Sequence, residues 1–378
     1  MKMDPLNELR FTFKVGGFWY YFSERNVFQV ILQILHQAVL NFALFLNIYC
    51  ICRDGLKQSM GSTMIYLPPA IVVNVCHYAL YFRQTEIKEL LDTLESVMSK
   101  NKEEREIFKN DYLFAVKIAK ISRYTLFLIW IMFFTTPQIM ELIFYLVGLN
   151  EFPVYVPSII NYIFMEKGRL QTCVCGLFGT LWTACAMFSH YGFTISNITL
   201  LIYYHIELKI FKHKIDYQYA KFFVSHRMYY VFKDIISVQQ ELLRTLQVLK
   251  NVVALALGFQ NAIIALCICY FLYTITVSES SFVKLLFSYA FMLYLADASI
   301  SCYAGELIES ESHEIFQTLY GLPWYEIDAN NRRMFKLILL QAKKTMKIEY
   351  KGTAATNLES LLQIMQASYS YFMLLKSI

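Results

Sequence analysis

Charge is scarce in this sequence. Asp, Glu, Lys and Arg make up 17% of its 378 residues, against 57% hydrophobic residues, where a water-soluble domain carries about 25% charged residues. That balance excludes an ordinary soluble enzyme or binding module. The net charge of +5 is small and spread over polar segments, so no basic face is available for nucleic acid. Sequence motifs of chemistry are missing too. There is no HExxH, GxSxG, GxGxxG or P-loop, and the seven His, at 36, 77, 190, 205, 213, 226 and 313, have no carboxylate partner at a useful spacing. Neither catalysis nor a cofactor is expected. The nine Cys include no CxxC pair and sit in apolar segments, so neither a zinc site nor a disulfide framework is indicated; Cys173 and Cys175, near an outer helix end, are the only candidates worth checking. Residues 1–25 mix Lys2, Asp4, Glu8, Arg10, Lys14 and Glu24 with aromatics and lack an apolar core with a cleavage site, so this segment is expected to be retained. Internal repeats and paired charges within apolar runs, marks of many transporters, are absent as well.

What the sequence does contain is a series of charge-free runs. Lys, Arg or Asp at the centre of a membrane helix costs about 2.5–3.5 kcal/mol, so such runs locate membrane spans. Seven are expected, at 26–52, 58–82, 124–148, 170–206, 251–277, 282–304 and 358–378. The predicted fold is all-α and polytopic. Pro68 and Pro69 should kink or interrupt the second span toward its beginning. The fourth run is too long for one straight crossing and must tilt or project beyond the bilayer. Between the spans lie polar segments at 83–123, 207–250 and 305–356. The first carries apolar residues at Ile87, Leu90, Leu91, Leu94, Val97 and Met98, and the third at Met334, Leu337, Leu339 and Leu340, so both read as amphipathic helices.

Orientation follows from the bases. The N-terminal tail and these three segments hold 28 of the 34 Lys and Arg, which predicts a cytoplasmic N-terminus and an extracellular C-terminus. A G-protein-coupled receptor is inserted the other way round. The sequon at Asn197 falls inside the fourth span and should not be used.

The last span is unusual. Glu359, Gln363, Gln366, Ser370 and Ser377 recur at steps of three, four or seven and so share one helical face, with the apolar Leu374 on that face between the last two. A polar stripe in hydrocarbon must meet water or other protein. Two readings are open: a pore lining with Leu374 as a hydrophobic constriction, or hydrogen bonds to a neighbouring helix. Asp297 in the sixth span is a second polar feature, with Gln260 or Asn261 of the fifth as the expected partner. A pocket for a small apolar ligand is suggested by residue type, in the outer halves of the second, third, fourth and sixth spans. Tyr66, Met140, Phe144, Phe178, Trp182, Met187, Tyr289, Met292 and Tyr294 supply rings, thioethers and hydroxyls, and Gly176 and Gly179 leave room between helices.

Gly305-Glu306-Leu307-Ile308-Glu309-Ser310-Glu311-Ser312, then Tyr320-Gly321-Leu322-Pro323-Trp324-Tyr325, and Asn357-Leu358-Glu359 with Ser368-Tyr369-Ser370-Tyr371-Phe372, resemble the C-terminal third of the insect odorant receptors. Span number, inverted topology and long cytoplasmic loops agree along the whole chain. Gustatory receptors are relatives that usually end in Thr-Tyr followed by Gln-Phe. Here Tyr371 leads into Phe-Met-Leu-Leu-Lys-Ser-Ile without that ending, which favours the odorant branch. The long insertion that marks the shared co-receptor is also missing from the second cytoplasmic loop.

The resemblance implies a ligand-tuned subunit of an odorant-gated, non-selective cation channel. It implies a heterotetramer with the odorant co-receptor, in the plasma membrane of a sensory neuron dendrite. It also implies two parts: residues 1–304, with a six-helix bundle holding the odorant pocket, and residues 305–378, with a cytoplasmic anchor helix and the pore-lining seventh helix. Helices from 83–123 and 207–250 would complete the anchor domain. The family's gate, an apolar residue two or three positions after a Tyr-Phe, falls on Leu374. A gustatory-type homomeric channel, a metabotropic seven-span receptor and a transporter or membrane enzyme are the alternatives.

Overall fold

The computed structural model describes residues 10, 27–54, 67–100, 106–130, 139, 143, 146–148, 169–222, 228–278, 281–349 and 355–377. Among them no strand occurs. The long helices are α1 (Val27–Asp54), α2 (Leu67–Phe82), α3 (Gln84–Lys100), α4 (Lys109–Trp130), α5 (Arg169–Lys214), α6 (Met228–Val277), α7 (Ser281–Tyr320), α8 (Ala329–Ala342) and α9 (Leu358–Ser377). Pro68 and Pro69 lie in the first turn of α2, where the missing N–H groups have no ladder bond to lose. The stretch 58–66 in which an interruption is expected lies outside the described residues.

Three of these helices continue well past the edges of their charge-free runs. α5 has 46 residues, α6 has 50 and α7 has 40, or about 69, 75 and 60 Å at 1.5 Å per residue. The expected division between residues 304 and 305 falls inside α7, which runs through it without a break. α5 passes into a π-helical turn, Ile215–Tyr219. α1 holds an apolar stretch, Gln33–Arg53, long enough to cross a membrane, and so does α6.

The helices share one charged end, where α5 finishes, α6 begins and α7 finishes. There a single continuous core joins them. Ile87, Leu90, Leu91 and Leu94 bury the apolar stripe of α3, which packs on α6, in the same core as Tyr204 and Phe211 of α5 and Leu242 of α6, and Phe232 of α6 stacks on Phe335 of α8 with ring centroids 5.6 Å apart. On α8 the buried face is Phe335, Ile338 and Ala342, while Leu337 and Leu340 are exposed. The expected α8 stripe is corrected in part: Met334 and Leu339 pack partly buried against this core, whereas Leu337 and Leu340 do not. Spacing at i, i+3 and i+7 from Phe335 defines a continuous helical face, and the two leucines fall beside it.

Ion pairs ring this core. Lys212 of α5 meets Glu311 at 3.6 Å and Glu314 more closely, and Lys209 meets Asp111 at 3.5 Å. The hydrogen bond to Glu314 holds the Lys212 ammonium above the ordinary lysine value. Burial raises the Glu311 carboxyl, with Lys212 opposing it. The buried Tyr112 hydroxyl donates to Glu207 at 2.9 Å, tying α4 to α5.

Candidate functional site

α9 packs on α6 and α7. It has three faces. Ser360, Ile364 and Ser368, four residues apart, are buried. Ile364 sits among Ile264, Ala265 and Ile268 of α6 and Ala298 and Cys302 of α7, a contact that is close because many of its residues are small. Gln363, Gln366, Ser370, Leu374 and Ser377 all lie on exposed positions, Leu374 with 60% of its surface free. Beside that stripe, Leu362, Tyr369 and Met373 form an exposed apolar flank.

The stripe therefore points away from the described helices of its own subunit. Its hydroxyls bond back to their own helix, Ser370 donating to the Gln366 carbonyl at 2.9 Å and Ser377 to that of Leu374 at 2.7 Å. Within the chain, then, the Ser hydroxyls are bonded within α9 rather than across to α6 or α7.

The chain enters α9 along one face of α7. Gly305, Glu309 and Ser312 are spaced at i, i+4 and i+7 and so lie in a row. Ser312 accepts from the Met346 backbone N–H at 3.0 Å, and Glu309 holds Lys347 at 2.7 Å and the Asn357 side-chain amide at 3.2 Å. This contact raises the Lys347 ammonium above its ordinary value. Glu306, beside the row, accepts from the Leu358 backbone N–H at 3.2 Å, and Asn357 caps the helix by accepting from Ser360 N–H at 3.1 Å. Gly305 makes this approach possible, because a Cβ there would lie 1.8 Å from the Thr356 carbonyl oxygen. In the sequence these residues carry the family resemblance and no individual role; the signal there is a Gly, an acid and a Ser in one helical row with a second acid beside it, matched by an Asn just before an apolar run.

Asp297 lies about halfway along the part of α7 that precedes Ser312. Its Oδ2 accepts from Gln260 Nε2 of α6 at 2.9 Å and lies 3.2 Å from His190 Nε2 of α5. Gln260 also reaches Thr194 Oγ1 at 3.2 Å, and Tyr294 stacks on the His190 ring at 6.1 Å. Gln260 was expected, whereas His190 was not. The sequence shows no carboxylate at a useful spacing from any His, and this pairing is made by helix packing across 107 residues instead. Asp297 Oδ1, Gln260 Oε1 and His190 Nδ1 have no hydrogen-bond partner among the described residues.

Of the ligand-pocket candidates, Tyr66, Met140 and Phe144 lie outside the described residues. Phe178 and Trp182 fall on α5. Tyr289 on α7 is partly buried, and Met292, three residues on, is 60% exposed. Phe271 of α6 packs edge-on against Tyr294 at 5.4 Å and against Phe287 at 5.8 Å, an aromatic contact between α6 and α7 that the sequence reading did not pick out.

The family model described as "7tm Odorant receptor" matches residues 59–369 of the chain. The chain belongs to the odorant receptor family. Members of that family are membrane receptors of insect olfaction, not enzymes. Odorant receptor 85c of Drosophila melanogaster is 21% identical over 368 residues, covering 91% of this chain and 89% of the relative. Odorant receptor 10 of Aedes albopictus is 30% identical over 114 residues, 30% of each chain. Among solved structures, the insect olfactory receptor OR5 from Machilis hrabei in complex with eugenol superposes with a TM-score of 0.79 at 13% identity, covering 98% of this chain and 97% of that one. At that identity the likeness is one of fold.

Proposed function

We propose that this odorant receptor is the ligand-tuned subunit of a non-selective cation channel, assembled with odorant co-receptor subunits as a heterotetramer and opened by a small hydrophobic volatile. The observation that carries this reading is the exposed polar stripe of α9, interrupted by Leu374. A stripe of Gln and Ser turned away from its own subunit is suited to water once several subunits stand around an axis, and the apolar flank of Leu362, Tyr369 and Met373 beside it supplies a surface for the neighbouring subunit. Leu374 narrows and dewets the lining near the outer end. The concentration of Lys and Arg on the polar segments supports seven spans with the N-terminus in the cytoplasm and the C-terminus outside, in the plasma membrane of an olfactory neuron's dendrite. The charged end then lies in the cytoplasm, and the packed helices from 83–123, 207–250 and 305–356 make the anchor domain.

Odorant enters between the outer halves of the helices that carry Tyr66, Met140, Phe144, Phe178, Trp182, Tyr289 and Met292. A ligand shifts the population toward an open pore by as much as it prefers that state. The Machilis receptor's eugenol complex supports a ligand of that size and polarity.

Whole-cell recording tests this reading, with the chain expressed alone and with an odorant co-receptor, during a panel of volatiles. Evoked cation current only with the partner is the expected result. Current from the chain alone would indicate a self-sufficient homomer of gustatory type, and silence in both cases, with surface expression confirmed, would overturn the channel. In the conducting complex Leu374→Ser should raise the unstimulated current; an unchanged closed state would remove Leu374 from the gate.

A further inference from the structure

The last helix is held directionally at one end only. Among the described residues its exposed face meets nothing in its own subunit, and its buried face makes no directional bond across the interface. Ser368 spends its hydroxyl on the Ile364 carbonyl of its own helix at 2.7 Å, and Ile364 contacts Ile264, Ala298 and Cys302 through apolar atoms. Such a surface resists separation but not sliding or rotation. The first turn is different. There Leu358 N–H bonds Glu306 and Asn357 bonds Glu309, both on α7, and the chain just before the helix is pressed against the backbone of Gly305 with no room for a Cβ.

We propose that Glu306, with Glu309 and Asn357, is the joint through which α7 positions the pore helix, so that movement of α7 reaches α9 at its cytoplasmic end. This rests on the channel reading above. α7 is one unbroken helix from Ser281 to Tyr320, carrying the pocket candidates Tyr289 and Met292 near one end, Asp297 further along and the joint beyond it. Glu306 lies where α7 enters the core at Ala304 and Ile308, so a tilt of the ligand-facing part about that core turns the helix at Glu306. The Glu306 carboxylate also faces the positive end of the α9 dipole, so it holds the helix by charge as well as by one hydrogen bond. Glu306 is a positioning residue, acting through its bond to the first turn of α9.

The test is a dose–response series in cells expressing the chain with its co-receptor, with current divided by surface receptor number, for wild type, Glu306→Gln, Glu306→Ala and Ser310→Ala. Gln keeps an acceptor and loses the charge, so a shift in half-maximal concentration or in current per surface receptor of about 2- to 5-fold is expected, and a larger one for Ala. The exposed Ser310 on the same helix should give wild-type values. If the Ala variant fails to reach the surface, the Gln variant decides. Wild-type current per surface receptor and wild-type half-maximal concentration in the Glu306 variants that reach the surface would overturn the joint, since a purely structural role changes receptor number alone. A silent wild type at the surface would instead overturn the channel reading, and the joint with it.

Discussion

At the charged end, Phe232 stacked on Phe335 belongs to one core that draws residues from α2 to α8. At the apolar end the described residues form small separate clusters, such as Leu40, Ala43, Ala70 and Val73 between α1 and α2, or Cys267, Phe271 and Phe287 between α6 and α7. The media explain the difference. Helices standing in water gain about 1.5–3 kcal/mol for each large apolar side chain they bury, and so gather into one core. Helices in lipid gain nothing comparable by leaving hydrocarbon, and close small-residue packing and polar contacts decide which of them touch. The contact among Asp297, Gln260 and His190 is of that second kind. One end is therefore cohesive in bulk, and the other is held at a few points.

The largest effect expected is at Phe335. Truncation to Ala leaves a cavity under the Phe232 ring and should cost about 3–5 kcal/mol, read as a lowered unfolding temperature of the purified receptor in detergent. Phe271→Ala at the apolar end should cost less, and an equal or greater loss there would break the comparison. Next comes Asp297. Replacement by Leu removes the acceptor shared by Gln260 and His190 and should cost about 1–3 kcal/mol, whereas Asn, which keeps an acceptor, should retain most of the stability. Equal unfolding temperatures for the Leu variant and wild type would show that the α5–α6–α7 contact rests on packing alone. The smallest effect is expected at Glu311. Its folded carboxyl is raised by burial, so the fold favours the protonated form; that contribution is complete below the ordinary glutamate value and is lost as pH rises through the folded one. Near neutral pH the charged form is the one the fold disfavours, and Glu311→Gln should leave the unfolding temperature unchanged or slightly higher. A clear drop would mean that Lys212 depends on this carboxylate more than burial opposes it.

These contrasts also show what could be read from the residues. Charge-free runs and the periodicity of Ile87, Leu90, Leu91 and Leu94 are properties of single helices, and the all-helical architecture and the α3 face followed from them. α9 was legible for the same reason: Gln363, Gln366, Ser370 and Leu374 share a face whatever surrounds them, and only the direction of that face needed the structure. The contacts that went unread join residues far apart in the chain. His190 meets Asp297, and Glu306 meets Leu358, because long helices cross, and no local spacing encodes a crossing. The continuity of α5, α6 and α7 was hidden for another reason. Hydropathy marks where a helix changes medium, at Lys250 and Asn251 for instance, and a helix does not need to stop there.

That continuity gives α6 a mechanical character. Phe232, in the cohesive core, and Gln260, at the polar contact, sit on the same 50-residue rod, about 42 Å apart along its axis at 1.5 Å per residue. With Phe232 fixed, a tilt of about 5° carries Gln260 sideways by roughly 4 Å, and the far end of the rod by more. That displacement comes from a rotation small enough to leave every hydrogen bond of the helix intact. The cohesive core is thus a fulcrum, and the length of helix beyond it determines how far a small rotation carries the other end.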